Sequence, residues 1–344
     1  MPLLELRAFA LTVLIGTAGA LIAILIGFPA PYLIGPAVAV TLAGLAGLKL
    51  SVPNEVRNVC FVIVGVSMGA TVTPDVIVAA RTWPLSFVMV LFAIIILLYS
   101  SAWVLRKFFH YDRITALLSS SPGHLSYVLS LAAETRCDLR TVSVAQSVRV
   151  LALTIAVPLI VEVLDLVSAD SVLVVQTMET WVFVIMLAVS SLFGMLFLRW
   201  KLPAALLLGG VVVSIGTHVT GVIAGGVPGW VLTPTYIVLG SVIGTRFCGV
   251  SVGELRTAFI AGFVTTIVVT VLAAAIAGCI SYFLGVPLDA ALIAFAPGGL
   301  ETMSAMAVML NADPTYVGAH HVLRLMFLSV LMPLLLGKEA RQRP

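Results

Sequence analysis

Charge is what this chain has least of. Only 10% of its 344 residues are Lys, Arg, Asp or Glu, against about 25% in soluble domains. That scarcity excludes a soluble enzyme or a soluble nucleic-acid-binding protein. The net charge of +3 is too small to imply a nucleic-acid partner. Cysteine is equally uninformative: Cys60, Cys137, Cys248 and Cys279 are scattered with no C-x-x-C spacing, so neither a disulfide framework nor a metal knuckle is expected. No Walker loop, G-x-S-x-G or H-E-x-x-H occurs, and no His/Cys set is arranged for copper or zinc. No cofactor, metal or enzymatic activity is therefore expected. The longest stretch between apolar segments is too short to form a domain that reads bases.

Apolar residues are what the chain has instead. They make up 61% of it, and the mean hydropathy is +1.19. At about 20 residues per α-helical crossing, this predicts one all-α polytopic membrane domain. Apolar segments fall at about 8–26, 32–48, 58–74, 84–105, 114–133, 142–164, 176–198, 203–222, 232–246, 257–284, 288–310 and 316–336. The run from Phe9 to Ile26 is long enough to be a first span rather than a cleaved signal.

Sliding the chain by 175 residues aligns its halves. Pro122-Gly123 falls on Pro297-Gly298, Asp138 on Asp313, Arg149 on Arg324 and Pro158-Leu159 on Pro333-Leu334; 12 of 44 positions are identical between Ala116 and Leu159. Gly65 and Gly69 fall on Gly240 and Gly244, both G-x-x-x-G pairs that let helices approach closely. A one-residue slip puts Pro29-Ala30 and Gly35 on Pro203-Ala204 and Gly209. Two membrane repeats are expected, 1–168 and 175–340.

The basic residues orient them. If segments 114–133 and 288–310 enter the membrane and return, 15 of the 18 basic residues face one side and only Arg81 the other, with Arg149 and Arg324 inside spans. Such a bias marks the cytoplasmic face. Each repeat then has five spans and a helical hairpin; five is odd, so the second repeat is inverted. A segment broken at mid-membrane but still crossing is the alternative. A multi-pass protein of the bacterial inner membrane with both termini cytoplasmic is expected, and a homodimer is compatible with it.

The candidate site follows from the breaks. Pro122, Gly123 and His124 in one copy, and Pro297, Gly298 and Gly299 in the other, interrupt helices whose new N-termini would suit an anion. Inverted-repeat transporters bind substrate where broken helices meet near the midplane. Arg149 and Arg324, each about 12 Å into the last span of its repeat, could fork onto a carboxylate or could cap hairpin carbonyls. Glu301, whose counterpart is Ser126, is an intramembrane carboxylate that could take a proton or Na⁺, or could pair with Arg324. His321, whose counterpart is Gln146, shares a helix face with Arg324 and is a further coupling candidate or an ordinary hydrogen-bonded histidine. Asp138 and Asp313 read as helix N-caps.

The motif Pro297-Gly298-Gly299-Leu300-Glu301-Thr302-Met303, then Asn311-Ala312-Asp313-Pro314, His320-His321 and Arg324, resembles the AbrB-duplication membrane protein family. Pro122-Gly123-His124 with Arg149 is similar to its degenerate first copy. Proteins of that kind are described as regulators of gene expression or as ammonia monooxygenases. The inverted hairpin layout is similar to that of some citrate symporters, a likeness of fold alone. The expectation is a secondary transporter of a small anionic or zwitterionic solute coupled to H⁺ or Na⁺, its partners being that solute, the cation and the lipid bilayer. The alternative is a membrane-embedded protein with an indirect role in gene regulation.

Overall fold

The computed structural model describes residues 3–72, 81, 83–122, 125–133, 135, 137–166, 177–202, 204–250 and 252–337. Among these residues there are fourteen α-helices and no strand. In chain order they are α1 (Leu3–Leu25), α2 (Pro31–Leu45), α3 (Asn54–Gly69), α4 (Trp83–Phe109), α5 (Arg113–Ser120), α6 (Leu125–Ala133) and α7 (Leu139–Val163), then α8 (Thr180–Arg199), α9 (Ala205–Val219), α10 (Gly229–Thr245), α11 (Val252–Leu284), α12 (Leu288–Phe295), α13 (Leu300–Met309) and α14 (Pro314–Leu336). Six of them are long and apolar enough to cross a bilayer. Their outward faces are apolar: α8 exposes Trp181, Ile185, Leu192 and Met195, a surface suited to lipid and unsuited to water.

Local chemistry sets the helix ends. Asp112, Asp138 and Asp313 each accept a backbone N–H from the first turn of the helix that follows. The Thr141 hydroxyl and two backbone N–H groups hold the Asp138 carboxyl below its ordinary pKa against some desolvation. Pro314 opens α14 at a position where the missing N–H has no intrahelical partner to lose. α2 and α9, both 15 residues long, each start from an alanine in the left-handed region, Ala30 (φ 47°) and Ala204 (φ 50°).

Segments 114–133 and 288–310 are each split into two short helices by one mechanism. Ser121 (ψ 119°) and Ala296 (ψ 130°) precede prolines. The proline ring disfavours the α region in the residue before it. The split segments are hairpins, not broken crossings. Ile293 and Ala296 on α12 bond to His321 and Arg324 on α14, and Asp289 at the start of α12 acts electrostatically on Asp313 at the start of α14. α12 therefore runs parallel to α14. α13 leads into α14 through a tight turn and runs back, so both ends of the hairpin lie together. In the first half, the Asp138 N–H before α7 bonds Thr115 on α5, and Gln146 further along α7 bonds Leu118 and Ser121. The α5–α6 pair is folded back in the same way.

The hairpins enter from opposite ends of α14. Arg113 at the base of the first donates to the Leu335 carbonyl at one end, while Asp289 and Asp313 mark the base of the second at the other.

Two groups of helices result. In one, α1 packs on α2, α2 on α10, α10 on α3, α3 on α9 and α9 on α8. In the other, α4, α5, α6 and α7 pack with α11, α12, α13 and α14. Glycines permit the close crossings in the first group. A Cβ on Gly65 would sit 2.1 Å from the Leu207 carbonyl oxygen, and one on Gly240 2.3 Å from that of Leu33. Gly19 against Gly35, and Gly194 against Gly209, bring α1 to α2 and α8 to α9.

Because Gly240 faces backbone, α2 and α10 would have to separate to admit a methyl group. Gly240→Ala should destabilise by about 1–3 kcal/mol. Gly278→Ala on α11, with nothing within 4 Å, should be neutral or stabilising by up to about 1 kcal/mol. Thermal unfolding of the two purified variants in detergent compares them; an equal effect would refute the close-crossing account.

Candidate functional site

The two hairpin tips meet. Pro122 and Pro297 line one small cavity together with Ser119, Ser120, Arg149 and Thr265. Its volume of about 10 Å³ admits about one water and no solute. Gly298 is buried against the Met303 side chain, and Gly299 stands at the N-cap of α13. Gly123 and His124 lie outside the described residues, and Ser126 is described only through the helical backbone of α6.

Arg149 and Arg324 are 6% and 2% exposed, in the middle of their helices. Arg324 donates from Nη1 to the Ala296 carbonyl at 2.7 Å and from Nη2 to the Gly298 carbonyl at 2.7 Å. Arg149 donates from Nη1 to the Ser120 carbonyl at 3.3 Å. Each arginine thus satisfies carbonyls left open where the first arm of a hairpin ends. That end is the negative pole of the arm's dipole, a favourable place for a cation. Of the two roles open to these arginines from sequence, capping is the one the geometry displays.

A helper supports each guanidinium. His321 Nε2 lies 3.0 Å from the Ile293 carbonyl, and Nδ1 is hydrogen-bonded to Arg324 Nη2. A carbonyl only accepts and a guanidinium only donates, so Nε2 carries the proton and Nδ1 is bare. In the first half Gln146 does the same. Its Nε2 donates to the Leu118 carbonyl at 2.7 Å and its Oε1 accepts from Arg149 Nη2 at 2.5 Å. Leu118 and Ile293 are themselves 175 residues apart. The expectation of a coupling cation at His321 thus meets a different arrangement: both ring nitrogens are engaged as those of a neutral imidazole. His320 is engaged elsewhere, between the Ser86 hydroxyl at 2.8 Å and the Tyr316 carbonyl at 2.8 Å.

Glu301 is half-buried on the first turn of α13. Its charge acts on Arg246, which in turn feels Arg57 and acts on Arg149, and Arg149 acts on Arg324. Among the described residues, four arginines and one glutamate are thus linked electrostatically in a chain that ends at the tips. No carboxylate hydrogen-bonds Arg149 or Arg324 among the described residues. The Nε atoms of Arg57, Arg149 and Arg324, Arg246 Nη1, and the hydroxyls of Ser119, Ser120, Ser121 and Ser304 are buried without a hydrogen-bond partner. Buried polar groups normally have one, so this cluster is rich in unused donors. Sequence reasoning placed Arg57 and Arg246 with the inner-loop charges and overlooked the serines. The signal for Arg246 was its place two residues after the second G-x-x-x-G.

Fold and site define the class: a multi-pass, all-helical membrane protein built around two opposed hairpins. The family profile described as transition state regulatory protein AbrB matches residues 32–338, and the chain belongs to that family. It is similar to an uncharacterized protein, YhjN, of Bacillus subtilis (strain 168), with 27% identity over 79% of this chain and 75% of the relative. It is also similar to a protein of Escherichia coli (strain K12) that carries the name regulator AbrB, with 25% identity over 86% of each. No solved structure matches the chain.

The equivalence of Gln146 and His321 makes a direct prediction. His321→Gln should keep the thermal stability of the parent, because glutamine offers the same donor and acceptor. His321→Leu leaves the Ile293 carbonyl unmet and loosens Arg324, and should cost about 1–3 kcal/mol. A glutamine variant as unstable as the leucine one, in parallel melts, would refute the equivalence.

Proposed function

We propose that this protein is a secondary transporter of a small anionic solute, zwitterions included, working by alternating access and built from two inverted halves, 1–168 and 175–340. The observation that carries the reading is the pair of opposed hairpin tips, each clamped by a buried arginine with unused donors beside it. The solute's negative group would lie where the N-termini of α6 and α13 leave backbone N–H groups facing the tips, near Arg149, Arg324 and the tip residues Pro122, Gly123, His124, Pro297, Gly298 and Gly299. Glu301 is assigned to the coupling cation, H⁺ or Na⁺, and Ser126 is its position in the first half. His321 is assigned to hold Arg324. No catalytic step, cofactor, metal or nucleic acid enters this reading, and a homodimer is compatible with it.

Unequal packing of corresponding interfaces supports alternating access. Between α3 and α9 on one side and α4 and α14 on the other lies an apolar cavity of about 370 Å³, lined by Met68, Val72, Leu207, Ala319, Leu323 and Met326 among others. Shifted by 175 residues, Val72, Ala319 and Leu323 become Phe247, Val144 and Val148, which pack together as a filled cluster. Two halves that pack alike in outline but differ in which interface is open are what an alternating device requires. We place the protein in the bacterial inner membrane with both termini cytoplasmic, from the distribution of basic residues.

Uptake into proteoliposomes over a panel of carboxylates, phosphate and amino acids tests the proposal. A cation-dependent signal should appear for an anionic member. It should fall at least about tenfold in Arg324→Ala and lose its cation dependence in Glu301→Gln. Transport unchanged in both variants would sink the site assignment. If nothing is transported while deletion of the gene alters expression of others, the regulatory reading suggested by the E. coli relative's name takes its place.

A further inference from the structure

Where α4 turns into α5 there is a second, larger cavity of about 750 Å³, remote from the hairpin tips. Tyr99, Trp103, Arg106, Lys107, His110 and Arg113 line it. Four basic residues thus fall within eight positions. Lys107 Nζ sits 4.6 Å from the centre of the Trp103 ring. Asp112, the carboxylate within this stretch, accepts the Ile114 and Thr115 N–H groups at 3.0 Å each and is held at the start of α5. Arg106, Lys107 and His110 pair with no carboxylate among the described residues.

The second half shows that the fold does not need these basic side chains. At the 175-residue shift, Trp103, Arg106, Lys107, His110 and Arg113 correspond to Gly278, Ser281, Tyr282, Gly285 and Leu288. His110 carries the sharper clue. It stands at φ 54°, in the left-handed region, and its counterpart Gly285 stands at φ 69°. The turn demands a backbone that glycine adopts freely and that a side chain adopts only under strain. The first half keeps an imidazole there, at the cavity wall, against that strain, and residues held so cluster at functional sites.

The surroundings identify the ligand. The wall carries exposed Tyr99 and Trp103, with Phe108 exposed beside them, amphipathic aromatics suited to the headgroup level of a bilayer. Phe92 and Ile96, 58% and 48% exposed, continue an apolar strip along α4 toward the bilayer interior. A cationic cup opening onto a lipid-facing helix takes a phosphate that has acyl chains attached. We infer that this cavity binds the headgroup of an anionic phospholipid, with Arg106, Lys107, His110 and Arg113 around the phosphate and the chains along α4. The inference rests on the membrane placement and not on transport.

The test uses the full-length protein in neutral detergent, titrated with phosphatidylglycerol, with phosphatidylcholine, or with inorganic phosphate, and read by native mass spectrometry and thermal unfolding. Phosphatidylglycerol should bind and raise the melting temperature by several degrees, and the other two should not. In the Arg106→Gln/Lys107→Gln double variant, phosphatidylglycerol binding should weaken about tenfold or more while the lipid-free melting temperature stays near that of the parent. Equal stabilisation by phosphatidylcholine, or an undiminished phosphatidylglycerol response in the double variant, overturns the site. Stabilisation by inorganic phosphate alone overturns the lipid in favour of a soluble anion. His110→Gly is the second variant: it should melt higher without lipid, because the strain is gone, and bind phosphatidylglycerol more weakly. Unchanged binding there removes His110 from the site.

Discussion

An arginine donating into the open carbonyls of a broken helix is the interaction on which the rest of this structure depends. A helix that stops inside a membrane leaves its last carbonyls without partners, and no water is at hand to take them. Arg149 and Arg324 supply those partners from the neighbouring long helices, and the guanidinium fork reaches two carbonyls at once. The charge is tolerable because it faces the negative end of a helix dipole. Without these clamps neither hairpin would have a defined depth, and Pro122 would have no reason to meet Pro297.

The clamps use only one pole of each broken segment. The first arm, α5 or α12, ends with carbonyls, and its arginine attends to them. The second arm, α6 or α13, begins with the positive pole of its dipole, and the Gly299 N-cap of α13 makes no side-chain hydrogen bond. Two positive poles and four nearby arginines face one glutamate among the described residues, and several buried donors have no hydrogen-bond partner. Among the described residues that space holds more positive than negative charge.

Differences between the halves separate what the fold requires from what one half adds. Gln146 and His321 do the same work with different chemistry, so the fold requires a donor and an acceptor at that place and not a titrating group. His110 and Gly285 share a backbone conformation and differ in side chain, so there the fold requires the turn and the imidazole is an addition. The sequence made some of this legible. The breaks at Pro122 and Pro297, the caps at Asp138 and Asp313 and the close approach at Gly65 and Gly240 all follow from residue types with strong local preferences. The partners did not follow. Gly65 and Gly240 announce a close contact but carry no address, and α3 meeting α9 while α2 meets α10 is a property of the assembled bundle. The arginines were ambiguous because their partners are backbone carbonyls, which leave no trace in residue identity. His321 reads from sequence as a coupling candidate or an ordinary hydrogen-bonded histidine, and its partners, a carbonyl on one nitrogen and a guanidinium on the other, are set by the fold and not by the residue.

The same contacts constrain how such a molecule can move. Arg149 and Gln146 tie the first hairpin to α7, and Arg324 and His321 tie the second to α14. Opening a hairpin by itself would strand three or four carbonyls and a buried charge. The glycine crossings lock α1, α2, α3, α8, α9 and α10 into one another just as closely. What remains is the seam between the two groups, where α3 and α10 face α13, α14 and α7. That seam holds a cavity of about 370 Å³ at one place and a filled cluster around Phe247 at the corresponding one. Relative movement that fills the first and opens the second would break no clamp and uncross no glycine pair, and it would carry both tips, with Glu301 on α13, past the space that Arg57 and Arg246 occupy.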